Sequence, residues 1–124
     1  MSLSEVASGW VDELRETAPA IEEGRRVPQA LSDRLGADGF FRMLVPKSLG
    51  GGEVHPRDFA SALSTLAEGD GATGWLAMTG STTGLLTAFL PEAGARAVLD
   101  GPDHAALAGV FAPSGKATPT DGGF

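Results

Sequence analysis

The residues of this chain that could do chemistry are few, and most of them stand alone. His55 sits beside Pro56 and His104 follows Gly101-Pro102-Asp103, and neither has partners at metal-ligand spacing, so both read as surface or capping residues. The carboxylate pairs Asp12-Glu13 and Glu22-Glu23 fall on solvated helix flanks. Without burial, adjacent carboxylates keep ordinary acidity and cannot divide into an acid and a base. Gly50-Gly51-Gly52 lacks the Lys-Ser/Thr pair of a phosphate loop and the strand-to-helix setting of a dinucleotide site, and is expected to be a tight loop passing close to another backbone. Arg25-Arg26 is too small a patch to be a binding site by itself. The absence of cysteine removes disulfides, thiolate metal sites and cysteine nucleophiles together. What remains is the uncharged run of residues 71–90, where Trp75 and Met78 recur at helical spacing among Thr79, Thr82, Thr83 and Thr87. Taken alone, the large residues read as core packing, and the threonines as hydroxyls returned to the carbonyl of the preceding turn.

Helices must position that run. Leu3, Ala7, Trp10, Leu14, Ala18 and Ile21 recur at steps of three and four, which predicts one amphipathic helix. Ser2 or Ser4 would cap it, and Gly24 would end it with Arg25 and Arg26 near the negative pole of the dipole. A second helix opens at Pro28 and carries Ala30, Leu31 and Leu35 inward until Asp38-Gly39. Residues 40–45, bounded by Gly39 and Pro46, are expected to be extended and buried, and residues 46–56 to form a loop. A third helix from Pro56 carries Phe59, Ala62, Leu63, Leu66 and Ala67 on one side and breaks at Glu68-Gly69-Asp70-Gly71. The fourth sets Trp75, Met78, Thr79, Thr82, Leu85, Leu86 and Phe89 along one stripe, and its lack of charge predicts burial on most sides. Gly80 and Gly84 share a face that would admit another helix or a flat ligand. A short fifth helix runs from Pro91 through Ala95 and Val98 to Leu99.

The predicted fold class is therefore mainly α: a helical bundle of about five helices over residues 1–102, with a short β-rich carboxy-terminal tail over 103–124. With 124 residues and 42% apolar content there is material for a single core. The formal charge of −7 argues against nucleic acid and anionic membranes as partners. Half of residues 71–90 are Gly, Ser or Thr, too polar for a membrane span, and the acidic start of the chain does not read as a secretory signal, so the cytoplasm is expected. In the tail, Pro113-Ser114-Gly115 is a turn, residues 116–120 are strand-like, and Asp121-Gly122-Gly123 is a hairpin turn followed by Phe124 alone. We expect a sheet that begins here without closing, as at the truncated start of a β-domain or at an edge completed by a partner chain.

The run Asp38-Gly39-Phe40-Phe41-Arg42-Met43-Leu44-Val45-Pro46, then Leu49-Gly50-Gly51-Gly52, then Phe59 to Asp70, Gly71 and Trp75, resembles the acyl-CoA dehydrogenase superfamily, closest to its branch of two-component flavin-dependent aromatic hydroxylases. The resemblance covers nearly the whole chain. It implies a subunit of amino-terminal helices, a middle β-domain and a carboxy-terminal four-helix bundle, assembled as a homo-oligomer around FAD or FMN. This chain would be the first part, forming one wall of the pocket for a small-molecule substrate, an acyl-CoA or an aromatic compound. The resemblance makes Trp75, Met78, Thr79, Thr82 and Thr83 the substrate-facing candidates, and Phe111, Ala112, Pro113, Ser114 and Gly115 the flavin-contacting ones. Ala112 stands where dehydrogenases proper carry the Glu of Thr-Glu-Pro, and Thr83 stands about where hydroxylases carry a histidine. The family's catalytic bases belong to the carboxy-terminal bundle, so no catalytic residue is assigned here. A non-catalytic helical interaction module is the alternative.

Overall fold

The computed structural model describes residues 2–101, 106–110 and 112–124. Among these described residues are six α-helices: α1 (Leu3–Ser8), α2 (Val11–Gly24), α3 (Gln29–Ala37), α4 (Pro56–Gly69), α5 (Gly71–Leu85) and α6 (Glu92–Leu99), with 3₁₀ turns at Lys47–Leu49 and Leu86–Phe89. The chain is mainly helical, as the periodicity predicts. None of its described helices is long and apolar enough to cross a membrane.

The first predicted helix is in fact two. Ser2 and Glu5 form a reciprocal cap at the start of α1, the Glu5 carboxylate accepting from the Ser2 N–H at 2.6 Å. The chain then bends at Gly9, and the Trp10 N–H returns to the Ala7 carbonyl at 3.0 Å. The bend has a tertiary cause. Both α1 and α2 pack on α4, while the buried Trp10 indole donates to Asp38 Oδ2 at 2.7 Å at the end of α3. The Arg34 guanidinium lies 4.6 Å over the indole and grips both Glu13 carboxylate oxygens, at 2.6 and 2.9 Å. Amphipathic spacing is blind to such a bend because each half keeps its apolar stripe.

Within residues 40–45, Phe40, Phe41, Met43 and Val45 are buried as expected, at or near zero exposure, with Arg42 and Leu44 half-buried between them, but the segment is not extended. It forms a succession of turns, the Arg42 N–H bonding to the Gly39 carbonyl at 3.1 Å and the Val45 N–H to the Arg42 carbonyl at 3.3 Å. A strand would send the adjacent Phe40 and Phe41 to opposite faces, whereas turns fold both into one core. The following glycines answer this segment. A Cβ on Gly51 would overlap the Val45 carbonyl, and the Gly52 N–H donates to the Arg42 carbonyl at 2.9 Å. The loop does pass tightly against another backbone.

α5 is capped by Asp70, whose Oδ2 accepts from the Thr73 N–H at 2.6 Å and the Thr73 hydroxyl at 2.7 Å. Its buried face carries Thr73, Gly74, Ala77, Gly80, Ser81 and Gly84. These are small because neighbours come close: a Cβ on Gly74 would stand 2.9 Å from Ala67 Cβ of α4, and one on Gly84 2.8 Å from Val45 Cγ2. The Ser81 hydroxyl donates to the Phe40 carbonyl at 2.7 Å in full burial. The shared face of Gly80 and Gly84 thus admits Phe41 and Val45, rather than a helix or a ligand.

Beyond Gly101 the described residues contain one antiparallel bridge, Thr120 with Gly123, closing a turn in which Gly122 takes φ 85°. The Asp121-Gly122 turn forms where it is predicted. Residues 116–119 pair with nothing among the described residues.

Candidate functional site

Small residues inward leave large residues outward. Trp75, Leu86 and Phe89 are 66%, 53% and 81% exposed, and Leu85 is also exposed. The stripe expected to be buried is therefore the outer face of α5 and of the 3₁₀ turn after it. The reason is steric. The approach of α4 and residues 41–45 to the α5 backbone leaves no room for an indole or a phenyl ring on the inner face, so burial selects for small size rather than for hydrophobicity.

Trp75 and Thr79 border an open cleft of about 810 Å³. Ala72, Leu76 and Asp70 complete the α5 side; Ala18, Ile21 and Glu22 of α2, the α2–α3 connection with Arg25, Arg26 and Val27, and Gln29 and Ser32 of α3 form the other. The volume falls within the usual range for small-molecule sites, about 300–1,000 Å³. Thr79 donates its hydroxyl to the Trp75 and Leu76 carbonyls, both at 3.1 Å, and Thr82 donates to the Met78 carbonyl at 2.8 Å. These hydroxyls are satisfied within the helix. Met78 and Thr82 are half-buried and do not line the cleft. Thr83 lies under the returning tail, where a Cβ on Gly109 would stand 2.6 Å from Thr83 Oγ1. The structure thus brings two of the five substrate-facing candidates, Trp75 and Thr79, to one cleft.

Two cleft residues escape sequence reasoning. α2 ends with the Arg25 N–H on the Glu22 carbonyl and the Arg26 N–H on the Ile21 carbonyl, each at 3.3 Å. This is a Schellman closure in which Arg25, not a glycine, takes the left-handed conformation, φ 52° and ψ 30°. A non-glycine residue there costs roughly 1–2 kcal/mol. The result is that both arginines of an apparently trivial patch reach the cleft rim. The sequence signal was faint: a Gly one position too early, followed by two cations.

His55 caps α4, its Nδ1 accepting from the Arg57 N–H at 3.2 Å. His104 and Phe111 lie outside the described residues. Among the described residues no three His, Cys, Asp or Glu side chains come together in a way that could hold a metal ion.

Residues 2–99 match the family model described as acyl-CoA dehydrogenase, N-terminal domain. The chain belongs to this family. Over 103 residues this acyl-CoA dehydrogenase domain is 36% identical to indole-3-acetate monooxygenase of Acinetobacter baumannii, covering 82% of this chain and 26% of that protein. It is 32% identical over 117 residues to the oxygenase component of the FADH(2)-dependent resorcinol hydroxylase of a Rhizobium species, covering 94% and 29%. It is 31% identical over 111 residues to the flavin-dependent monooxygenase, oxygenase subunit HsaA, of Rhodococcus jostii, covering 90% and 29%. The chain thus spans between 26% and 29% of the length of these relatives.

A flavin needs an enclosed, water-poor seat. Of the residues assigned to it by resemblance, Ala112, Pro113, Ser114 and Gly115 form an exposed bend, with the Ser114 N–H donating to the Ala112 carbonyl at 2.8 Å. An exposed bend does not enclose a tricyclic ring, so these residues of the acyl-CoA dehydrogenase domain do not by themselves fit the cofactor.

Proposed function

We propose that this domain forms one wall of the substrate and flavin pocket of a flavin-dependent monooxygenase, of the kind whose oxygenase component receives reduced flavin from a separate reductase. The observation that carries the reading is the inverted α5, with small residues buried and Trp75, Leu85, Leu86 and Phe89 turned outward. A contiguous apolar stripe of this kind is characteristic of a surface that another element or a ligand covers. The names of indole-3-acetate monooxygenase and resorcinol hydroxylase support an aromatic substrate, and those of the resorcinol hydroxylase and HsaA support a flavin, FAD or FMN, as cofactor. Residues 103–124 are then the opening strands of the middle β-domain, whose remaining strands would supply the enclosure that the exposed bend lacks.

In this reading the electron chemistry belongs to the flavin of the complete enzyme. The wall binds and orients the substrate: Trp75 offers an indole face for stacking, and the satisfied hydroxyl of Thr79 presents no unpaired donor to an apolar ring. A cytoplasmic, oligomeric enzyme with a reductase partner fits the same reading.

The test is a chimera in which this chain replaces the matched span of the Rhizobium resorcinol hydroxylase oxygenase component. Product formation dependent on a flavin reductase is expected, with KM for the aromatic substrate raised several-fold by Trp75→Ala. A folded, flavin-retaining chimera that yields no product, or whose KM ignores that substitution, would sink the reading.

A further inference from the structure

We infer that the cleft between α2 and α5 takes a small aromatic molecule bearing a carboxylate, with Arg25 and Arg26 as the anion-binding rim and Trp75 as the stacking wall. The inference rests on the reading of α5 as a substrate-facing wall and deepens it by naming the charge of the ligand. Three observations carry it.

The first is backbone geometry. Arg25 holds a left-handed conformation that glycine would adopt without strain. Strain kept at the rim of a cleft motivates a use for the side chain.

The second is charge. Four of the other arginines are engaged: Arg15 with Asp12, Arg34 with Glu13, Arg96 with Glu92, and Arg42 on the Leu99 carbonyl; Arg57, exposed at the start of α4, lies away from the cleft. Among the described residues no carboxylate stands within ion-pair distance of Arg25 or Arg26. The cleft's acidic residues are Asp70 and Glu22. Asp70 turns its Oδ2 to the start of α5, where Thr73 satisfies it, and Glu22 is exposed on the last turn of α2. Within the lining the two guanidinium charges offset those of Glu22 and Asp70, and with no ion pair of their own they are the groups at this rim that an anion can engage.

The third is shape. Ile21, Val27 and Leu76 line the same cleft as the exposed indole, so a ring can lie on apolar surface while its carboxylate meets the planar, bidentate donors of a guanidinium.

Two probes of nearly equal shape test this on the chain itself: 1-naphthaleneacetate and its neutral amide, followed by the NMR shift of the Trp75 indole N–H. The acid should bind about tenfold more tightly than the amide, the scale of one charge-assisted hydrogen bond. Arg25→Gly, which relaxes the left-handed residue and keeps the fold, should remove part of the acid's advantage and leave the amide unchanged. Arg26→Gln should weaken the acid alone, and Arg26→Lys should restore part of the loss. Equal binding of acid and amide by the unaltered chain, or acid binding untouched in the Arg25→Gly, Arg26→Gln double variant, overturns the anion-binding rim and leaves the wall reading standing. No shift at Trp75 with either probe overturns both.

Discussion

Ser81 is the residue on which the inner face of α5 turns. Its hydroxyl is the buried partner of the Phe40 carbonyl, at 2.7 Å, and it ties the helix to a segment that has no regular secondary structure of its own. Ser81→Ala keeps the size that the close approach demands but leaves that carbonyl unmatched in the core. We expect a loss of about 1–3 kcal/mol, the cost of a buried polar group left without its partner. Chemical denaturation checks it, and an unchanged midpoint would mean that water reaches the Phe40 carbonyl. Thr79 and Thr82 are a contrast, since their hydroxyls bond within the helix and their removal should barely alter stability. The returned hydroxyls were legible in the sequence, because that bond is local. The Ser81 bond spans 41 positions and was not.

At the scale of the element, α5 reverses the usual rule that large apolar residues mark the buried side. Periodicity placed the helix and its start at Asp70-Gly71, and it grouped the residues of the stripe correctly. Which stripe faces inward depended on distance to the neighbours, a quantity that a hydropathy pattern does not contain. The glycine spacing did contain it in part, since Gly80 and Gly84 marked the side of close approach. Gly84→Leu should therefore push against Val45 and cost about 1–3 kcal/mol, as overpacking does. A lower urea midpoint is the expected result, and an unshifted one would contradict the packing of that face. The division of the first predicted helix into α1 and α2, and the turns in place of a strand at residues 40–45, have the same origin: long-range partners decided the path of short segments.

For the molecule as a whole, pH reports how the helices are joined. Arg34 donates to both oxygens of Glu13 and holds its carboxyl below the usual range, and the bonds from Ser2 do the same for Glu5. A carboxyl whose folded pKa is depressed stabilises the fold above its ordinary value and loses that contribution as pH falls through the depressed one. The melting temperature should thus hold steady above about pH 5 and decline below about pH 4. Glu13→Gln should flatten part of the acid limb, and high salt should do likewise, because the pair is solvent-exposed. Superimposable acid limbs for the two proteins would show that the α2–α3 ion pair does not couple to global unfolding.

Residue order by itself determined the helical class, the positions of most helices, the tight glycine loop, the turn at Asp121-Gly122, and a family resemblance that the match over residues 2–99 bears out. These properties are local or compositional: a helix follows from spacing, a turn from two or three residue types, and a family from short motifs. The tertiary structure alone decided that Trp75 faces outward, that Arg25 closes α2 in a left-handed conformation, and that the two meet at one cleft though they lie fifty positions apart. The cause is that a site is set by distances between elements, and those are fixed only once side-chain volumes compete for the same space.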